Sequence, residues 1–186
     1  MKKVIIIIVA VVVVVGAVAA FFLLAKPGSS SDSSASKAGQ LPTASVKACD
    51  VLTKSVATSL LGDGAILPAG GVVTQSSADI SESSCMYVIT NGNTAKNALA
   101  GSGVQLYARV AKTEAGASSN KQSFTTVPSG SQAVSGVGDK AFYNPQFKQL
   151  NVLKGDNWYL ATYYVGDLSN ATLDTDKQFV QKLVLQ

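Results

Sequence analysis

The residue types that most often carry catalysis or bind metals are scarce in this chain of 186 residues, which has no histidine and two cysteines, Cys49 and Cys85. Without histidine, the chain has no histidine-based triad, histidine metal site or histidine pH switch. Two cysteines are too few for a four-cysteine zinc site or a cysteine-ligated iron–sulfur cluster. Any chemistry therefore falls to carboxylates, serines, lysines and backbone groups.

Two short motifs resemble parts of known catalytic or phosphate-binding sites. The stretch Gly136-Val137-Gly138-Asp139 offers backbone N–H groups to an anion, but it lacks the third glycine and helix of a dinucleotide site and the Lys-Ser/Thr pair of a P-loop. It predicts a turn that enters a strand. Ser118-Ser119-Asn120-Lys121 has the Ser-x-x-Lys form, but the Ser-Asp-Asn and Lys-Thr-Gly companions of a penicillin-binding site are absent.

Acidic residues near the C-terminus raise the question of a calcium site. Asp174 and Asp176, with Asp167 nearby, lack the glycine and terminal glutamate of an EF-hand, and the first turn of a helix accounts for Asp174 and Asp176 without a metal. A glycosidase needs only two acids at the right separation, so a catalytic carboxylate pair stays open. We therefore predict no metal site, no cofactor and no defined catalytic residue.

Aromatic residues cluster in and just before the predicted terminal hairpin. The cluster consists of Phe142, Tyr143, Phe147, Trp158, Tyr159, Tyr163 and Tyr164. Most of these rings are expected to be core, but tyrosine and tryptophan are also favoured at recognition surfaces. The candidate recognition surface is Tyr143, Trp158, Tyr159 and Tyr163.

The elements that must position these residues are predicted from periodicity and turn signals. Helices are predicted at Thr53–Leu61, Glu114–Phe124 and Asp174–Leu185, and strands at Ser84–Thr90, Val104–Ala111, Lys140–Tyr143, Phe147–Leu153 and Trp158–Val165. The order α-β-β-α-β-β-β-α indicates an α+β fold, an antiparallel sheet of about five strands covered by helices. The last strand is apolar on both faces, which is typical of a strand in mid-sheet.

The N-terminus carries an uninterrupted apolar run of 21 residues, Val4–Leu24. As a helix this run is about 31 Å long, which matches the hydrocarbon core of a bilayer. Lys2 and Lys3 precede it and favour a cytoplasmic N-terminus. Residues 1–25 are therefore predicted to be a transmembrane signal-anchor, in contact with the membrane through residues 4–24, with the C-terminal part extracytoplasmic.

A cleaved signal peptide is the competing interpretation of the same segment. Ala17-Val18-Ala19 has the small-x-small form of a signal peptidase site, so cleavage after Ala19 would release a secreted protein. Both interpretations export the remainder of the chain. Residues 26–45 are rich in serine and glycine and predict a flexible tether, which leaves residues 46–186 as one exported domain.

The exported domain is nearly neutral, with eleven basic and ten acidic residues, and its lysines are scattered singly. Nucleic-acid binding requires clustered basic residues, so no nucleic-acid partner is expected. In an exported domain, the even number of cysteines predicts a Cys49–Cys85 disulfide rather than a redox site, because no C-x-x-C is present.

Four short motifs of the exported domain form a recognisable pattern. They are Ala48-Cys49-Asp50-Val51-Leu52-Thr53, Leu60-Leu61-Gly62, Cys85-Met86-Tyr87 and Val134-Ser135-Gly136-Val137-Gly138-Asp139-Lys140-Ala141-Phe142. This pattern resembles that of a family of actinobacterial cell-envelope lipoproteins of unknown function. The resemblance spans the chain from Ala48 to the C-terminus and implies a structural Cys49–Cys85 disulfide and a PsbP-like α/β/α sandwich, with no implied activity. Those proteins are usually lipidated at an N-terminal cysteine, whereas this chain has an apolar run of spanning length.

Together these observations predict a non-enzymatic, membrane-anchored extracytoplasmic module of the bacterial cell envelope. Its partner would be an unknown envelope protein or a small ligand. The alternatives are a carboxylate-dependent cell-wall hydrolase and a structural subunit of an envelope complex.

Overall fold

A computed structural model of the chain describes residues 46–89 and 101–185, all within one compact unit, Ala38–Gln186. The predicted signal-anchor (residues 1–25) and tether (residues 26–45) lie outside the described residues. Within the described ranges, no helix is long and apolar enough to cross a membrane.

The described chain forms four α-helices, one 3-10 helix and seven strands. The helices are α1 (Ala48–Val51), α2 (Lys54–Leu61), α3 (Glu114–Thr125), the 3-10 helix (Leu168–Asn170) and α4 (Leu173–Gln181). The strands are β1 (Val72–Ser76), β2 (Ile80–Ile89), β3 (Ser102–Ala111), β4 (Gln132–Val134), β5 (Lys140–Asn144), β6 (Gln149–Lys154) and β7 (Asn157–Tyr164). The predicted helices and strands are all present, with differences at their ends. β2 begins at Ile80, four residues before the predicted Ser84, and its predicted end, Thr90, lies outside the described residues. β6 begins at Gln149 instead of Phe147, and α4 ends at Gln181, four residues before the predicted Leu185.

Each of the three longer helices has a threonine N-cap. The side chains of Thr53, Thr113 and Thr172 accept backbone N–H groups in the first turns of α2, α3 and α4. Such caps satisfy donors that have no partner within the helix. Gly62 ends α2 with φ +94°, as expected for a glycine after a helix. The predicted N-cap and stop of the first long helix are confirmed.

The strands form one antiparallel sheet in the order β1-β2-β3-β7-β6-β5-β4. The α+β class is confirmed, but the expectation of about five strands is wrong, because β1 and β4 add one strand at each edge. Every residue of β1 is exposed, so it lacks the apolar alternation that identifies a half-buried strand. β4 has only three residues, which is too short to be recognised by periodicity.

Helices cover the sheet on both faces. The first face packs against α1, α2 and α4 and holds the larger core, to which β3 contributes Val104, Leu106, Ala108 and Val110. These four residues alternate as predicted and are at most 1% exposed. The second face packs against α3 through a smaller cluster of Phe124, Phe142, Leu153 and Trp158. β7 is the fourth of the seven strands, which confirms its predicted position in mid-sheet.

Cys49 and Cys85 form the predicted disulfide, with Cα atoms 5.1 Å apart. The bond joins α1 to β2, and Cys85 is completely buried in the larger core. The disulfide, both described cores and the entire described sheet lie between residues 46 and 185. These described features all belong to the compact unit Ala38–Gln186.

Candidate functional site

Three of the four aromatic residues of the candidate recognition surface belong to the core. Tyr159 is 0%, Tyr143 7% and Tyr163 8% exposed. The Tyr163 hydroxyl donates to the carbonyl of Leu60 in α2 at 3.0 Å, and burial raises the pKa of both Tyr143 and Tyr163. This placement differs from the expectation, because the three rings lie on the first face of the sheet, beneath the helices that cover it.

Trp158, the fourth of these aromatics, lies on the opposite face and is partly exposed. Its ring meets Phe124 of α3 edge-on, with centroids 6.4 Å apart, and its Nε1 donates to Asn151 Oδ1 at 3.2 Å. The guanidinium of Arg109 lies 6.0 Å from the centre of the indole and pairs with Glu82 at 3.1 Å. Trp158 therefore helps to pack α3 against the sheet.

The Gly136–Asp139 segment is a turn that leads into β5, as predicted, and its aspartate ties it to the β6–β7 hairpin. Asp139 accepts the backbone N–H of Gly155 at 2.6 Å and the ammonium of Lys154 at 3.1 Å. The Gly155 N–H, followed by Lys154, lowers the pKa of the Asp139 carboxyl. Asp139 is therefore an ionised carboxylate that fixes the hairpin turn.

Helix α3 holds the same hairpin turn from its other side. Lys121 donates to the Asp156 carboxylate at 2.6 Å, and Asn120 Nδ2 donates to the Asp156 carbonyl at 2.8 Å. Lys121, the lysine of the Ser-x-x-Lys motif, is thus engaged with the hairpin, and Ser118 of that motif is exposed on α3. This arrangement gives a structural role to a lysine that would act as the base in a penicillin-binding site.

A groove of about 460 Å³ opens between the C-terminal half of α3 and this turn. We call it the hairpin groove; it is lined by Lys121, Phe124, Thr125, Asp139, Lys140, Leu153, Gly155 and Asp156. The nearly buried side chains of Phe124 and Leu153 supply its apolar part. The two lysine–aspartate pairs supply charged groups of both signs. Pockets for small ligands have this size and a similar mixture of apolar and polar groups.

Lys140 supplies the hairpin groove with a cation that is available to a ligand. Its side chain is exposed, and within the described part of the chain it makes no ion pair, whereas Lys121 and Lys154 are paired with Asp156 and Asp139. An anionic group entering the groove would meet Lys140 without first breaking a salt bridge. The arrangement is suited to a ligand with an apolar part and an acidic part.

The three aspartates considered for calcium do not converge in the structure. Asp167 caps the 3-10 helix by accepting the Ser169 N–H at 2.7 Å, which lowers its pKa. Asp174 is exposed in the first turn of α4, and Asp176 is completely buried against β7. Among the residues described, no group of three or more potential ligands could hold a metal.

Sequence reasoning did not identify the hairpin groove as a site. Its lining residues come from α3, from the start of β5 and the turn before it, and from the end of β6 and the β6–β7 turn. Lys121 and Asp156, for example, are 35 positions apart in the sequence. The sequence signals for the groove are the Gly-x-Gly-Asp motif and the Lys154-Gly155-Asp156-Asn157 stretch, and each of these motifs by itself predicts only a turn. No protein-family model, curated protein or solved structure matches the chain significantly.

Proposed function

We propose that the chain is a membrane-anchored extracytoplasmic binding module of the bacterial cell envelope and that its ligand site is the hairpin groove. The supporting observation is the combination of an apolar floor, Phe124 and Leu153, with Lys140, a cation that forms no ion pair with any described residue, in a groove of small-molecule size. The ligand we propose is a small envelope molecule that carries a carboxylate or phosphate. The module is non-enzymatic and is held at the membrane by residues 4–24.

The rigidity of the groove supports a binding role. The hairpin turn is fixed by Asp139 on one side and by Asn120 and Lys121 on the other. Side chains that are already ordered lose little conformational freedom when a ligand binds, which favours affinity. Lys140 begins β5, so its backbone is held by the sheet while its ammonium stays free to reach a ligand.

The proposal is tested by NMR titration of the isolated domain, residues 46–186, with soluble small molecules extracted from the cell envelope. Resonances of Phe124, Lys140 and Leu153 are expected to shift. The K140E variant should lose this response, whereas K54E, which makes the same charge change on exposed α2, should retain it. Shifts confined to other regions, or equal binding by K140E and the unmodified domain, would overturn the assignment of the groove.

A cell-wall hydrolase is the second candidate, because the hairpin groove brings two carboxylates, Asp139 and Asp156, into one cleft. Glycoside hydrolysis needs one protonated and one ionised carboxyl group. The lowered pKa of Asp139 fits only the ionised role, so the proton donor would have to be Asp156, which is paired with Lys121. Release of soluble fragments from purified cell wall, abolished by D156N and unaffected by D174N, would favour the hydrolase.

A further inference from the structure

Strand β1 forms one edge of the described sheet. All five of its residues, Val72–Ser76, are exposed, and among the described residues no strand pairs with its outer side. Natural proteins usually protect an edge strand with lysine, proline or a bulge, because unpaired backbone groups attract other strands. The strand itself contains no charged residue and no proline, and the one lysine that reaches it among the described residues, Lys112, donates to Ser76 Oγ at its last residue at 3.2 Å. Such an edge is suited to pairing with another strand.

The hydrogen bonds at both ends of β1 show which backbone groups point outward. Gly71 O accepts the Met86 N–H at 2.9 Å, and the Ser77 N–H donates to Ile80 O at 2.8 Å. Hydrogen-bonded positions alternate along an antiparallel ladder, so Val73 and Gln75 also face β2. Val72, Thr74 and Ser76 therefore present their backbone N–H and C=O groups to the outer edge.

This outward pattern is symmetric about Thr74. We propose that β1 is a self-association site, at which it pairs antiparallel with β1 of a second copy of this chain around a twofold axis at Thr74. Thr74 then lies opposite Thr74 of the second copy, and Val72 lies opposite Ser76. All outward N–H and C=O groups of both strands are satisfied by about six hydrogen bonds. The two sheets become one continuous sheet.

The side chains of β1 are compatible with pairing to an identical strand. A charged residue near the axis would face the same charge on the second copy, which is destabilising, and β1 has none. Threonine opposite threonine is a favourable cross-strand pair. Val72 and Val73 are 46% and 59% exposed, so pairing also covers apolar surface.

The area of contact sets the strength of this association. An interface built on one five-residue strand falls in the small class, which is typical of weak and transient complexes. We therefore expect a monomer–dimer equilibrium that is most visible when the chain is concentrated in a membrane. The inference is independent of the hairpin groove, and only its membrane setting rests on the proposed anchor, residues 4–24.

Cysteine cross-linking of the full chain in membrane vesicles tests both the contact and its register. In the proposed dimer the two Thr74 Cα atoms are about 5.5 Å apart, within the range that a disulfide spans. The two Gln75 Cα atoms lie diagonally, at about 7–8 Å, beyond that range. With an added oxidant, T74C should therefore form a covalent dimer at least about fivefold faster than Q75C. V127C, at an exposed loop position, is the matched control for random collision.

The outcomes of the cross-linking assay separate the alternatives. If T74C cross-links no faster than V127C, or if it cross-links to another protein instead of to itself, the proposal is overturned. Faster dimerisation of Q75C than of T74C would exclude the register centred on Thr74. Formation of the T74C homodimer alone supports the proposal.

A backbone variant provides a second measurement that needs no cysteine. The Thr74 N–H points away from β2, so T74P removes a donor from the outer edge and leaves the β1–β2 ladder intact. Sedimentation of the full chain in detergent should show a mass that increases with concentration, and T74P should remain monomeric. An unmodified chain that stays monomeric throughout, or equal dimerisation of T74P, contradicts the inference.

Discussion

Asp176 Oδ1 accepts the backbone N–H of Tyr163 at 2.6 Å and joins α4 to the centre of the sheet. The side chain of Asp176 is 0% exposed, and its other oxygen has no hydrogen-bond partner among the described residues. The backbone N–H of Leu150 in β6 also acts to lower the pKa of the carboxyl group. The hydrogen bond to Tyr163 links α4 to β7 from within the core.

Burial raises the pKa of Asp176 to about 8, although the two backbone N–H groups act in the opposite direction. In the unfolded chain the same carboxyl titrates near its ordinary value of 3.8. Between about pH 4 and pH 8 the folded state therefore holds one proton more than the unfolded state. The free energy of unfolding should decrease as pH rises through this window, by at most about 1.4 kcal/mol per pH unit from this group.

Urea unfolding of the isolated domain at several pH values between 4 and 9 measures this dependence. D176N keeps an oxygen acceptor for Tyr163 but cannot ionise, so it should remove that part of the slope and be more stable than the unmodified domain at pH 8. D174N changes an exposed aspartate in the same helix and should retain the slope. An unchanged slope in D176N would show that Asp176 is not protonated in the folded state.

Truncation of Tyr159 should affect stability strongly because its ring is completely buried between the helices and the sheet. Y159A is expected to lower the free energy of unfolding by about 3–5 kcal/mol. Phe147 is 45% exposed, and F147A should change the free energy of unfolding by only about 0.5 kcal/mol. Equal effects of the two substitutions in urea unfolding would contradict the assignment of Tyr159 to the core.

The elements with strong local signals were predictable from the sequence. The alternation Val104, Leu106, Ala108 and Val110 marked both β3 and its buried face, and Thr53 with Gly62 marked the ends of α2. β1 was missed because its two adjacent valines are both exposed, so no alternation between core and solvent exists in that strand. Local patterns predict an element only where the element buries one side.

The hairpin groove could not be predicted because tertiary packing creates it. Lys121 meets Asp156 only after α3 has packed on the second face of the sheet, and Asp139 meets Gly155 only through the β5–β6 pairing. Asp176 illustrates the same limit. The sequence places Asp176 only in the first turn of a helix, whereas the packing of α4 buries it against β7.

Loss of the Cys49–Cys85 disulfide should destabilise the domain without removing its fold. The bond closes a loop with a sequence separation of 36, which corresponds to about 3–4 kcal/mol of stabilisation in the chain-entropy model. The C49A/C85A variant and the reduced unmodified domain should therefore show similarly lowered urea midpoints. If neither the variant nor the reduced domain has a lowered urea midpoint, packing alone holds α1 and β2 together as well as the disulfide does.

The two glycines of the Gly136–Asp139 turn should differ in their tolerance of a side chain. Both have positive φ, +76° at Gly136 and +57° at Gly138. A Cβ at Gly136 would meet no atom within 4 Å, but a Cβ at Gly138 would lie 2.5 Å from Val152 Cγ1 and 2.6 Å from the Leu153 carbonyl oxygen. G136A should therefore lower the free energy of unfolding by only about 1 kcal/mol, the cost of holding alanine in the left-handed backbone conformation. G138A adds a steric conflict with β6 and should cost at least about 2–3 kcal/mol.

Urea unfolding of G136A and G138A separates backbone strain from close packing. Because Gly138 lies one residue before Asp139, a shift of the backbone at Gly138 should also weaken the hydrogen bond from the Gly155 N–H to the Asp139 carboxylate. The amide proton of Gly155 is then expected to exchange faster in G138A than in G136A. Equal stability of the two variants, with equal exchange at Gly155, would show that the turn can move away from β6, and that its close approach does not fix the hairpin.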